Sequence, residues 1–305
     1  MTPEPLVAVL IGPTSRSQLT ASLLTAASRS LPSAAEWRWL SPGEAAEIAF
    51  TAPIEASASL LEKLRELLGS APIDVAITSA VNRRKRLLVA DMDSTIIGQE
   101  CIDELAALAG VAAEVAAITE QAMRGALDFE QSLEARVRLL AGLSQSALTE
   151  VIDKRLSLNP GAEALAATMR RHGALSAIVS GGFSAFTTHI RQRAGFDRDY
   201  SNHLEIEDGR LTGRLIRPIL GREAKRQTLT SLTAELGLSL ADTLAVGDGA
   251  NDIDMIRAAG LGVAYRGKPA LGYVANARIE HGDLTALLYL QGFHAEEIVK
   301  STGRD

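Results

Sequence analysis

Leu87-Leu88-Val89-Ala90-Asp91-Met92-Asp93-Ser94-Thr95 sets a short, wholly apolar run directly ahead of two acids one residue apart. Such a run, stopped by polar residues, reads as a strand buried on both faces in a parallel sheet covered by helices. The pattern returns at 175–179 before Ser180-Gly181-Gly182, at 243–246 before Gly247-Asp248-Gly249, and at 262–264. In an open parallel sheet the carboxyl ends of the strands face one crevice, so Asp91, Ser180 and Asp248 are expected to meet there.

The residue types at those strand ends suit one chemistry. Two carboxylates as close as Asp91 and Asp93 resist ionising together unless a cation sits among them or one keeps a proton. Both states serve phosphate-ester cleavage: one carboxylate beside magnesium attacks phosphorus, and the other protonates the departing alkoxide and later activates water. Taken alone, the pair also fits an aspartate capping a helix. The glycines and hard oxygen donors of Gly247-Asp248-Gly249-Ala250-Asn251-Asp252 suit a magnesium site. Ser180 and the backbone N–H groups of Gly181-Gly182, at the expected start of a helix, suit an anion, although simple N-capping by Ser180 fits as well. Phosphoryl transfer also needs a cation for the developing charge. Lys225, chosen over Arg222 and Arg226 just ahead of the next helix, fills that role.

Outward from this core, residues 1–80 alternate predicted strands and helices: strand 6–11, helix 17–28, strands 36–40 and 45–52, helix 56–68, strand 73–79. The order βαββαβ predicts a ferredoxin-like module. It ends before Arg83-Arg84-Lys85-Arg86, read as a solvated linker. Between the first two core strands lie some eighty residues, far more than a crossover requires. Segments 101–110, 112–124, 129–140 and 146–156 show helical periodicity and predict a helical cap over the crevice, inserted at about 97–165. Segments 203–207 and 210–215 flank Asp208-Gly209 and predict a β-hairpin, because Asp-Gly favours the primed turn.

Asp91-Met92-Asp93-Ser94-Thr95, Ser180-Gly181, Lys225 and Gly247-Asp248-Gly249-Ala250-Asn251-Asp252, in this order, resemble the motifs of the haloacid-dehalogenase-like superfamily. Gly98-Gln99-Glu100-Cys101-Ile102-Asp103-Glu104, Asp128-Phe129-Glu130-Gln131-Ser132-Leu133 and Arg136-Val137 look like the substrate-recognition segments of its phosphoserine phosphatases. The resemblance implies an α/β fold, a Rossmann-like parallel sheet with a helical cap, at 81–305. It implies hydrolysis of phosphoserine through an aspartyl-phosphate, with Asp91 as nucleophile and Asp93 as general acid and base. It places Mg2+ on the Asp91 carboxylate, the Asp93 main-chain carbonyl and Asp248, with Asp252 supporting metal and lysine from behind. Ser180, Gly181 and Lys225 hold phosphate, and Asn251 helps to position it. Glu100 faces the substrate ammonium, Arg136 its carboxylate, and Met123 and Phe129 line the cap. Residues 1–80 resemble ACT-like regulatory modules in element order and size only, which leaves amino-acid sensing and homodimerisation both open.

Bulk properties narrow the rest. A net charge of −6 argues against a nucleic-acid binder that neutralises many phosphates. A single cysteine, Cys101, excludes an intrachain disulfide and a thiolate zinc cluster, and the five histidines lack close metal-ligand spacing. The start lacks a basic residue before its apolar run, and no apolar run is long enough to span a bilayer. A cytoplasmic location and a small-molecule partner, with no membrane partner, are the expectation.

Overall fold

The computed structural model describes residues 2–14, 19–124 and 126–300, the Met123 side chain excepted. The N-terminal part comprises β1 (Glu4–Ile11), α1 (Ala21–Ser30), β2 (Arg38–Ser41), β3 (Ala45–Ala52), α2 (Ser57–Leu68) and β4 (Asp74–Ser79). Its strands pair antiparallel in the order β2-β3-β1-β4, the ferredoxin-like arrangement expected of βαββαβ. Helix α1 starts later than the predicted residue 17, which lies outside the described residues; Thr20 caps it by accepting the Leu23 N–H at 3.3 Å. Alternate β1 residues face opposite ways. Leu6, Ala8 and Leu10 pack with Leu24 and Leu64 of the two helices, while Val7, Val9 and Ile11 merge into the core of the rest of the chain beside Leu287, Leu288 and Leu290. Burying each such side chain contributes about 1.5–3 kcal/mol, so the two parts share a hydrophobic core.

The remainder runs β5 (Leu87–Ala90), α3 (Cys101–Ala109), α4 (Ala112–Met123), α5 (Phe129–Arg138), α6 (Ser146–Lys154), α7 (Ala162–Arg171), β6 (Leu175–Phe183), α8 (Ser184–Ala194), β7 (Arg198–Glu207) and β8 (Arg210–Ile216). It continues through α9 (Arg222–Glu235), β9 (Thr243–Gly247), α10 (Ile253–Ala258), β10 (Leu261–Tyr265), α11 (Pro269–Gly272), β11 (Ala277–Ile279) and α12 (Ala286–Leu290). The sheet order is β11-β10-β9-β5-β6-β7-β8, parallel except for the last strand. Central β5 lies between β6 and β9 with Ala90 opposite Ile178 and Val246. That register brings the ends carrying Asp91, Ser180 and Asp248 to one level. Helices α3 to α6 form the helical cap, and Asp208 and Gly209 at φ 50° and 72° make the positive-φ turn of the predicted hairpin.

Three expectations are corrected. Strand β6 runs on through Gly181-Gly182 to Phe183, and α8 begins only at Ser184, so the glycines do not open a helix. The β6–β7 ladder instead jumps between Val179 and Phe183, which bulges residues 180–182 out of the sheet. Arg222, Lys225 and Arg226 lie within the first turns of α9 rather than ahead of it. The basic stretch 83–86 is a seam between the two parts. Arg83 pairs with buried Glu47 of β3 at 2.6 Å and donates to the Leu290 carbonyl at 3.3 Å. Arg84 pairs with Glu297 at 2.7 Å and lies over the Phe293 ring, and Lys85 Nζ donates to the Ala241 carbonyl at 2.6 Å.

Candidate active site

Asp91 leaves β5 directly, its N–H donating to the Val246 carbonyl at 3.0 Å and its Oδ1 accepting the Met92 N–H at 2.8 Å. Its Oδ2 meets Lys225 Nζ at 2.7 Å, and the same ammonium meets Asp252 Oδ1 at 2.6 Å. Asp252 Oδ2 accepts the Gly249 N–H at 3.0 Å, so both its oxygens are engaged. The approach is close because a Cβ at Gly247 would collide with the Asp252 carboxylate. Burial alone would lower the Lys225 ammonium, but the charges of Asp252 and Asp91 outweigh it and hold it well above its ordinary value. Burial, then the Asp252 charge, push Asp91 well up despite Lys225.

Asp248 follows β9, with Lys268 Nζ 3.9 Å from its Oδ2, and burial and Asp252 push its carboxyl up to about 6. Single ligand atoms of Asp91, Asp248 and Asp252 all lie within 4.8 Å of one another. Three carboxylates share Lys225 at hydrogen-bond distance and the more distant Lys268, which leaves an excess of negative charge in a buried place. Hard oxygen donors with that imbalance fit a divalent cation.

Asp93 Oδ1 accepts the Cys101 N–H at 3.2 Å, and a Cβ at Gly182 would stand 2.9 Å from its Oδ2. Enclosure, then the facing Glu100 charge, raise its carboxyl to about 7. Ser180 Oγ accepts the Gly182 N–H at 2.8 Å within the bulge. These groups open into a cavity of about 970 Å³ lined by Asp91, Asp93, Ser180, Gly181, Asp248 and Asn251 from the sheet side, and by Glu100, Phe129 and Arg136 from the cap. Phe129 stands at the start of α5, whose first turn is held by an Asp128–Gln131 capping box. Glu100 accepts the Ser94 hydroxyl at 2.7 Å, and Arg136 Nε donates to the Ser132 carbonyl at 3.3 Å. Burial lowers the Arg136 guanidinium. Among the described residues neither Glu100 nor Arg136 has an oppositely charged side chain within salt-bridge distance.

Eleven of the twelve residues singled out in the sequence thus gather at one place: Asp91, Asp93, Glu100, Phe129, Arg136, Ser180, Gly181, Asp248 and Asn251 line the cavity, and Lys225 and Asp252 stand behind Asp91. The Met123 side chain lies outside the described residues. Arg222 and Lys268 also reach the cavity. Sequence reasoning passed over Lys268 because it follows β10, a strand whose end carries no acid or serine. Arg222 is engaged elsewhere, bidentate with Asp254 at 2.6 and 2.8 Å.

A largely parallel sheet whose central strand ends in this acid pair, beneath an inserted helical cap, defines a Rossmann-like α/β architecture with its site at the strand ends. The family model for haloacid dehalogenase-like hydrolases matches residues 88–257, and the chain belongs to that family. Among its relatives, the phosphoserine phosphatase of Streptomyces coelicolor is 46% identical over 228 residues, covering 74% of this chain and 55% of that protein. The chain therefore spans little more than half the length of that relative. The phosphoserine phosphatase of Albidiferax ferrireducens is 45% identical over 210 residues, covering 67% of this chain and 89% of that one. A crystallised HAD family hydrolase from Salmonella enterica serovar Typhi superposes with a TM-score of 0.83 at 31% identity, covering 94% of this chain and 98% of its own.

Proposed function

We propose that this chain hydrolyses O-phosphoserine to serine and inorganic phosphate through an aspartyl-phosphate on Asp91. The observation that carries the reading is the pair of unmatched charges on the cap, Glu100 and Arg136, facing the acid cluster across one cavity. A zwitterionic amino acid supplies the missing partner of each, and the guanidinium fork suits a carboxylate. The phosphoserine phosphatases among the relatives support the same substrate.

In the proposed reaction Asp91 attacks phosphorus while the bond from phosphorus to the serine oxygen breaks, and Asp93 gives its proton to that oxygen. Water then attacks the acyl phosphate, Asp93 takes a proton from it, and Asp91 and phosphate separate. Lys225 holds Asp91 in place and offsets charge on the phosphoryl oxygens, which Ser180 and Gly181 bind with help from Asn251. Magnesium, carried by the Asp91 and Asp248 carboxylates and the Asp93 main-chain carbonyl, would neutralise phosphoryl charge; Asp252, occupied by Lys225, supports from behind. Met123 is assigned to the cap lining with Phe129. We place a ferredoxin-like, ACT-like unit at 1–80 and the phosphatase at 81–305, with the cap at about 97–165. Such an activity would complete serine synthesis in the cytoplasm, with dimerisation or amino-acid sensing the role of the first unit.

The test is acid-quenched turnover of phosphoserine with labelled phosphate and magnesium. Label should appear on the wild-type protein, and Asp91→Asn should carry none and release no phosphate while its circular dichroism is unchanged. Undiminished phosphate release from folded Asp91→Asn would remove Asp91 from the role.

A further inference from the structure

Phe129 reaches from the cap to the sheet between two positions that lack a side chain. A Cβ at Gly181 would stand 2.9 Å from its Cζ, and one at Gly221 would stand 3.2 Å from its Cδ1. Gly181 belongs to the bulge within β6, and Gly221 caps α9, the helix that carries Lys225. The two turns are distant in sequence, and one side chain ties them together. Asn202 of β7 is fully buried. Its Nδ2 donates to the Gly181 carbonyl at 2.9 Å and to the Leu220 carbonyl at 3.1 Å, and its Oδ1 accepts the Leu220 N–H at 2.7 Å. Both amide hydrogens are used, so the carboxamide spans the gap with defined polarity at each end.

We propose that Asn202 is a positioning residue: by clamping the Gly181 and Leu220-Gly221 turns it fixes the slot that receives Phe129, and so sets how the cap closes over the substrate. The physical reason is the cost of leaving buried carbonyls unmatched. Without the clamp, two turns with no backbone ladder between them would part. The ring would then lose its seat.

The proposal rests on the phosphatase reading, and its test separates the two. In Asn202→Asp the side chain keeps its shape but loses both donors and sets a carboxylate oxygen against two carbonyls. We expect kcat/KM for phosphoserine to fall on the order of 10- to 100-fold. The same change made in a Phe129→Ala background should cost less than about threefold, because residues acting through one contact are not additive. Equal losses in the two backgrounds would overturn the proposal. If Asn202→Asp does not fold, Gly221→Ala decides. Its φ of −107° suits alanine, and its added methyl should crowd the ring and lower kcat/KM, with partial recovery on adding Phe129→Leu. No loss, or no recovery, would count against the slot. Amide exchange over residues 126–138 needs no turnover: it should rise in the Asn202 or Gly221 variant and stay unchanged across β5 and β9. If wild-type protein releases no phosphate from phosphoserine, the functional reading fails, and unchanged exchange at 126–138 would independently defeat the clamp.

Discussion

The seam at residues 83–86 and the cavity beneath the cap both collect charge, and they treat it in opposite ways. In the seam Arg83 is matched to Glu47, Arg84 to Glu297, and Lys85 to backbone carbonyls. In the cavity Glu100 and Arg136 face open volume, and Asp91, Asp248 and Asp252 outnumber the two ammonium groups beside them, Lys225 and Lys268. An enclosed charge already paired holds two pieces of chain together. One left unpaired is costly by itself and becomes worthwhile only when a ligand completes it. The comparison separates charges matched within the fold from charges left open to the cavity.

The seam is where the comparison can be broken with the largest effect. Arg83→Ala removes one of the two arginines paired with buried Glu47, leaving Arg38, and should lower stability in urea by about 1.5–3 kcal/mol while the folded fraction keeps its turnover. A change below about 1 kcal/mol would return the stretch to a solvated linker. In the cavity, Lys225→Ala should cost on the order of 100-fold in kcat in the protein that remains folded. A near-wild-type rate would shift the role to another cation.

Acid sharpens the contrast further. Burial raises the Glu47 carboxyl, but Arg83 and Arg38 outweigh it and hold it below its ordinary 4.5. A depressed carboxylate contributes stability that is present above 4.5 and is lost as pH falls through its folded value. Wild-type stability should therefore drop on acidification below 4.5, and Glu47→Gln should show a shallower drop. The smallest effect is expected at Tyr289, whose hydroxyl donates to Glu44 at 3.0 Å across the two parts. Tyr289→Phe should cost about 1 kcal/mol by thermal unfolding, with kinetics unchanged.

Sequence carried the centre of the fold and lost its edges. Strands β5, β6 and β9 were legible because each is an apolar run stopped by Asp91, Ser180 or Gly247-Asp248. Strand β11, the three residues Ala277–Ile279, is too short to show a period. The start of β7 at Arg198-Asp199-Tyr200 is polar, so only the part beside Asp208-Gly209 was readable. Within the site, acids grouped along the chain announced themselves. Asn202 did not, because its partners Gly181 and Leu220 are brought to it only by the β6–β7 pairing and the turn before α9. The seam is not legible in the sequence because a run of four basic residues gives no hint that Glu47 and Glu297 lie opposite.

The central claim, that the unmatched charges of the cap select a zwitterionic phosphate ester, is tested most directly by comparing kcat/KM for phosphoserine and O-phosphoethanolamine in wild type and Arg136→Ala. The account predicts that Arg136→Ala loses on the order of 100-fold on phosphoserine and less than about threefold on phosphoethanolamine, which lacks the carboxylate. Equal losses on both esters, or an unchanged rate on phosphoserine, would contradict it.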